Sequence, residues 1–410
     1  MADLKSIKAY QWISSLYFFQ SMPFVVVSLI ATIFYQQQGL DNTQSALITS
    51  CLVLPWAIKP VFAPYLEKIS TKKRLTIFTQ GLISCLFLLL ALGIDRQYTF
   101  RLSILAFSLL AFTSSLHDIV SDGVYLINLD GPSQKRYIAL RSLFYQMGRL
   151  VIKGGLLTFV AQIANYFLFN TWQVFFYCLF IMAFVLTICH VIKIPEIEAI
   201  STQVKKNPLS IYKSLMASKQ FSAALIFIFL YNCSDAQMQK IVPLFLLDKM
   251  GLNLGLFQFG QIYGVYGSIA LIIGIFFSGF LLSRFPLQIC LKRITILLLL
   301  GHFCFLFLTL NSPSMYAIYL TMIFSQFAFG LANGAYMGYL LLIANQSKYP
   351  MSMYTVCTAT MALSYVIFGS FSGWLEQQLG YQAFFFAILF VNLLLVLLTF
   401  KRMDNHDRLA

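Results

Sequence analysis

Residues 193–220 read KIPEIEAISTQVKKNPLSIYKSLMASKQ, the longest polar stretch between apolar runs in the chain. Pro195 and Pro208 punctuate it, and its charges are mixed. On either side lie long apolar runs broken only by short charged turns. A helix needs about 20 mostly apolar residues to cross the hydrocarbon core of a bilayer. By that measure the first half holds six spans, near 12–35, 43–65, 75–94, 102–129, 138–165 and 172–192. The second half holds six more, near 221–247, 257–283, 294–310, 315–344, 351–374 and 383–400. The quoted stretch therefore reads as a cytoplasmic linker, 194–219, between two six-helix bundles, 1–193 and 220–410.

Composition supports this membrane reading. Of 410 residues, 59% are hydrophobic and 10% charged, against about 45–50% and about 25% in ordinary soluble domains. A water-soluble fold could not cover so much apolar surface, so the expectation is an all-α, multi-pass membrane protein. The first apolar run is too long for a cleaved leader and is followed by many more. Charge placement tests the span count separately. With both termini cytoplasmic, 20 Lys and Arg residues fall in inner segments and three, Arg96, Arg101 and Lys249, in outer ones. That is the asymmetry the positive-inside rule demands.

The net charge of +14 then follows from topology and from attraction to anionic lipid headgroups. Basic residues scattered through short turns do not make a nucleic-acid surface. The eight cysteines show neither CxxC nor metal-ligand spacing, so no disulfide or metal is expected. Nucleotide-binding loops and nucleophile elbows are likewise missing, so neither an ATP-driven pump nor an enzyme gains support, and no cofactor is expected.

Function should lie where charge sits in the bilayer at a cost. Eight charged residues fall within the expected spans: Lys59, Asp118, Asp122, Arg141, Arg149, Lys153, Asp235 and Lys240. At mid-helix they would together cost about 20–28 kcal/mol unless paired or hydrated. Asp118 and Asp122 are four apart and share a helix face. Arg149 and Lys153 are also four apart, with Arg141 eight before Arg149 on nearly the same stripe. Two readings stand: these groups pair and lock spans four and five, or they form a proton-binding carboxylate beside a cationic surface for an anionic solute.

Span seven carries Asn232, Asp235 and Gln239 on one face, with Lys240 adjacent, and Gln326 and Asn333 share a face of span ten. These amides are either hydrogen-bond partners for substrate or glue between helices. His117 adjoins Asp118 and could titrate near neutral pH. Gly260 and Gly264 read as a packing contact, and Pro23 and Pro243 as kinks.

A weak internal repeat relates the halves. Glu67, Lys68, Lys72, Lys73 and Arg74 follow the second span; Arg284, Lys292 and Arg293 follow the eighth. Two parallel six-helix repeats are the arrangement of major facilitator transporters. The first turn resembles that superfamily's signature between spans two and three, an acidic residue followed by basic ones, without its glycines. On that resemblance Glu67, Lys68, Arg74 and Arg284 belong to gating turns.

Within the superfamily the chain resembles the AmpG-type muropeptide permeases. LPWAIKPVFAP at 54–64, SLHDIVSDG at 115–123, LYNCSDA at 230–236, Gly154–Gly155 and Gly373–Trp374 carry the likeness. It implies a proton-driven importer of a bacterial inner membrane, moving anhydromuropeptides into the cytoplasm through a central cavity that opens alternately to each side. Lys59, Asp118, Asp122 and Asp235 occupy charged positions of the family pattern. The proton would then ride on Asp118, Asp122 or Asp235. Substrate would meet Lys59, Arg141, Arg149, Lys153, Asn232, Gln239, Lys240, Gln326 and Asn333, with the protein working as a monomer among membrane lipids.

Two departures point elsewhere. The family has a small residue where Lys153 stands and a single Arg early in span five, so Arg149 and Lys153 are additions. They would suit a more anionic ligand, such as a polycarboxylate siderophore. A proton-driven exporter, and more remotely a membrane receptor or enzyme, complete the alternatives.

Overall fold

A computed structural model of the chain describes residues 2–94, 99–129, 131–167, 170–195, 219–310, 313–346 and 350–407. Among these every regular element is helical. Contacts group them into two units, Met1–Phe34 with Leu52–Lys206, and Tyr35–Cys51 with Asn207–Ala410. The second unit thus takes in Tyr35–Cys51, which lies far from it in sequence. The linker expected over 194–219 falls almost wholly outside the described residues.

In the first unit, α1 (Ala2–Val25) runs through a π-helical turn at Val26–Ile30 into α2 (Ala31–Gln37). The turn follows Pro23, whose missing N–H already leaves a carbonyl one turn back without its partner. The second expected span is two helices parted at Leu52 and Val53, α3 (Asn42–Cys51), which belongs to the second unit, and α4 (Leu54–Ile69) of the first. Pro55 sits in the first turn of α4, where its lack of an N–H does no harm. Next come α5 (Lys72–Gly93) and α6 (Thr99–Asn128). The fifth span joins α7 (Gly131–Leu150), a π turn at Val151–Leu156 and α8 (Leu157–Phe167). Helix α9 (Thr171–Lys193) starts where Asn170 Oδ1 accepts from the backbone N–H groups of Trp172 and Gln173 at 3.0 and 3.2 Å, an N-cap. Trp172 packs edge to face on Phe34, and Phe176 on Phe34 and Phe107, filling the interior of this unit.

In the second unit the seventh span breaks at Asn232 (φ −85, ψ 0), giving α10 (Lys219–Tyr231) and α11 (Cys233–Leu247). Helix α11 continues through Pro243, so the kink expected at the proline lies eleven residues earlier. Then follow α12 (Leu256–Phe259), a π turn at Gly260–Tyr266 and α13 (Gly267–Arg284). After these come α14 (Leu287–Leu310), α15 (Met315–Asn345) and α16 (Pro350–Asp407). Helix α16 is two arms joined at Gly380, whose φ of 75 suits glycine.

Nine stretches among the described residues are long and apolar enough to cross a bilayer. The last, Met353–Asp404, contains the Gly380 break and is far longer than one crossing at about 1.5 Å per residue needs. Helix α9 shows what lies outside. Ile181, Phe184, Val185, Ile188 and Ile192 are all exposed, at the three- and four-residue spacing of one face. Such a stripe would be a liability in water and is ordinary against lipid tails.

Helices α13 and α15 approach closely at two glycines. A Cβ on Gly330 would lie 2.3 Å from the carbonyl oxygen of Leu271, and one on Gly274 would lie 2.3 Å from that of Phe327. Because the obstacle is backbone, Gly330→Val should exceed the usual overpacking penalty of about 1–3 kcal/mol. The expected result is a large fall in the thermal midpoint of the purified protein. Gly279→Ala, with nothing within 4 Å, should barely move it.

Candidate functional site

The first unit gathers charged and polar side chains from four helices. Asp118 and Asp122, one turn apart on α6, meet different cations. Lys59 Nζ of α4 lies 2.9 Å from Asp118 Oδ2, and the Gln20 amide of α1 donates to Asp118 Oδ1. Arg141 Nη2 of α7 lies 2.9 Å from Asp122 Oδ1, which also accepts from Tyr17 OH at 3.0 Å. The Arg141 guanidinium sits 4.6 Å over the Tyr17 ring and 5.6 Å from that of Tyr125, a cation–π arrangement. Each carboxylate therefore has a permanent cation beside it, and each pair is neutral as it stands.

Two more cations follow on the fifth span. Arg149 Nη1 donates to Gln146 Oε1 at 3.3 Å. Its buried Nε has no hydrogen-bond partner among the described residues. Lys153 is buried and lies within the electrostatic reach of Arg149. It belongs to the π turn, so ideal four-residue spacing from Arg149 does not carry through this segment. Gly148, just before Arg149, lets α7 close on α1: a Cβ there would lie 2.0 Å from Ser21 Oγ. Of the seam expected between spans four and five, Arg141 meets Asp122, and Asp118 turns to Lys59.

His117 faces away from this cluster. Its ring meets Gln80 at 3.1 Å and Ser121 at 3.2 Å, and Gln80 continues to His190 Nδ1 at 2.9 Å. His190 Nε2 ends the chain on Ser15 Oγ at 2.9 Å. This is a satisfied buried ladder tying α6, α5, α9 and α1 together.

The second unit holds a different constellation. Asn232 at the break donates to Tyr336 OH at 2.6 Å and to the Ile228 carbonyl at 3.3 Å, while Tyr231 and Tyr336 stack with centroids 5.0 Å apart. Asp235 lies in the first turn of α11, where the helix dipole favours negative charge. Its one ion-pair partner among the described residues is His302 of α14, with Nε2 3.3 Å from Oδ1. That contact is not aligned as a hydrogen bond, so Oδ1 has no hydrogen-bond partner there. On the far side of the ring, Nδ1 meets the Asn392 amide of α16, and Ser234 Oγ donates to Asn392 Oδ1 at 3.0 Å.

The other sequence candidates are dispersed. Lys240 Nζ donates to Thr49 Oγ1 at 2.9 Å, and Gln239 Oε1 accepts from Tyr263 OH at 3.2 Å. Gln326 is buried beside Gly267, and Asn333 is half-buried on α15. Arg74 and Arg284 are exposed, and Arg284 lies 4.3 Å over the Phe280 ring. The side chains of Glu67 and Lys68 lie outside the described residues.

Sequence reasoning passed over His302, Asn392, Tyr17 and Gln20. The signal was there: each is a polar group inside an otherwise apolar span. It also passed over a cluster that fastens α3 within the second unit. Asn42 Nδ2 lies 2.7 Å from Glu376 Oε2, 2.8 Å from Tyr381 OH and 3.1 Å from Asp248 Oδ2, and Tyr381 OH donates to Asp248 Oδ2 at 2.7 Å.

The Major Facilitator Superfamily model matches residues 13–358. A Rickettsia conorii protein named as a candidate transporter, AmpG 4, is 24% identical over 382 residues, with 89% of each chain covered. A Rickettsia felis protein named likewise, AmpG 2, is 24% identical over 395 residues, covering 92% of each. Among solved structures, a bacterial homolog of the human lysosomal transporter Spinster, inward-facing and unoccupied, aligns with TM-score 0.74 at 12% identity. The alignment covers 98% of this chain and 97% of that one. A D-xylose–proton symporter aligns with TM-score 0.74 at 12% identity, covering 97% of each. At these identities the structures establish a shared fold.

Proposed function

This chain belongs to the major facilitator superfamily and is a multi-pass membrane transporter, and from that premise we propose that it imports a polar anionic solute with protons across a bacterial inner membrane. Anhydromuropeptide is the first cargo to test. The reading includes twelve spans with both termini cytoplasmic, a monomer as the working unit, and gating turns at Glu67, Lys68, Arg74 and Arg284. Proton entry would draw on the membrane potential, at about 2.3 kcal/mol per charge per 100 mV.

One observation carries the anionic cargo. In the first unit both carboxylates already hold cations, Asp118 with Lys59 and Asp122 with Arg141, while the buried Nε of Arg149 is unsatisfied. Arg149 adds positive charge beyond the two ion pairs, and a guanidinium with an open N–H matches carboxylate geometry. Arg149 and Lys153 therefore bind substrate charge in this reading, with Lys59 and Arg141 holding the frame around them. Asn232, Gln239, Lys240, Gln326 and Asn333 are the second unit's candidate hydrogen-bonding groups. Asp118, Asp122 and Asp235 are the carboxylates available to the proton.

The test is uptake of labelled anhydromuropeptide into cells lacking their own permease, with and without an uncoupler. Accumulation that the uncoupler abolishes is the expected result. Failure of a well-expressed protein to take up the label would discard this cargo. The same positive surplus favours a second reading, import of a ferric polycarboxylate siderophore, which would then be tried.

A further inference from the structure

We propose that the proton is carried by Asp235 and His302 acting as one site in the second unit, with Asn392 and Ser234 as its positioning residues. The proposal rests on the proton-coupled reading above and narrows three candidate carboxylates to one pair. Charge balance makes the selection. Asp118 and Asp122 stand beside Lys59 and Arg141, so a proton added to either would leave its cation unbalanced. Among the described residues the one ion-pair partner of Asp235 is a histidine, and a histidine can be neutral.

The pair is also sealed. The side chains of Asp235 and His302 are 4% and 6% exposed, against 18% and 19% for Asp118 and Lys59. In the arrangement we propose, a neutral ring that accepts the Asn392 amide on Nδ1 carries its proton on Nε2, and beside an ionised Asp235 the pair has one net negative charge. A buried charge without a fixed counterion is expensive. One proton returns the pair to neutrality, either on the carboxylate or on Nδ1. In the second case the Asn392 amide turns to offer Oδ1 to the new N–H, and Ser234 Oγ accepts from the amide instead of donating. Both groups can take either role, so Asn392 and Ser234 can follow either protonation state of the ring.

Other groups bear on it. Tyr231 and Cys233 feel the Asp235 charge, and the Tyr231 hydroxyl lies 3.3 Å from Thr295 Oγ1 of α14. Lys240, five residues along α11, donates to Thr49. Among the described residues, none of these supplies Asp235 with an ion pair.

The experiment uses the full chain in lipid vesicles with labelled anhydromuropeptide as the probe. Asp235→Asn and His302→Gln should each lose accumulation driven by an inward proton gradient, while exchange of label across equilibrated membranes persists and shows that the variants are folded. Infrared difference spectra of the same samples between acid and alkaline pH supply a readout that needs no cargo. Wild type should show a protonation change in carboxyl or imidazole bands that vanishes in both variants and survives in Asp118→Asn. Gradient-driven accumulation in either variant at the wild-type level overturns the proposal, as does a spectral change that Asp235→Asn leaves intact. If wild type fails to transport the probe at all, the cargo reading falls. The infrared comparison then decides the pair alone.

Discussion

Asp118→Leu should destabilise the protein by about 3–5 kcal/mol, the usual consequence of removing one partner of a buried ion pair. Lys59 reaches Asp118 at 2.9 Å with about four-fifths of both side chains covered, and the substitution takes away the carboxylate that balances its charge. The Gln20 amide loses its acceptor at the same time. Thermal unfolding of the purified protein reads the effect. The double variant Lys59→Met with Asp118→Leu should recover most of the loss, since apolar pairs of similar volume commonly replace buried ion pairs without penalty. A single variant as stable as wild type would show that the pair does not hold α4 to α6.

Arg149→Gln should behave in the opposite way. Stability should hold or rise, because the substitution removes a half-buried guanidinium whose buried Nε is unsatisfied. Substrate affinity should fall by roughly 10–100-fold, since a hydrogen bond to a charged group contributes about 1.5–3 kcal/mol and about 1.4 kcal/mol is a factor of ten. A structural role for Arg149 predicts the reverse pattern, with lost stability and unchanged affinity. Thermal midpoints and ligand titration on one preparation separate the two.

The helical membrane class was legible because a bilayer demands long apolar runs and charge placed mostly on one side. Which charges meet was only half legible. The four-residue spacing of Asp118 and Asp122 put both on one face of α6, as observed. Their partners come from different helices, and single-sequence periodicity says nothing about which helix lies opposite. Asp118 therefore found Lys59, and Arg141 alone of the three span-five cations found Asp122. The breaks at Leu52–Val53 and Asn232 were illegible for a related reason. An apolar run reads the same whether its helix is continuous or interrupted, and neither site carries a glycine. Gly380 is the contrary case: its positive φ joins the two arms of α16, and a glycine there was a legible turn signal. His302 was hidden as a lone polar residue in an apolar span, which is more often core than site until Asp235 is seen 3.3 Å away.

Surplus positive charge in the first unit is proposed to recognise negative charge on the cargo. The most direct test is binding of two forms of one anhydromuropeptide, with carboxylates free or amidated, to wild type and to Arg149→Gln. The account predicts that amidation weakens binding to wild type by about tenfold or more, one charge-assisted hydrogen bond, and makes little difference to Arg149→Gln. Equal binding of the two forms to wild type would contradict it.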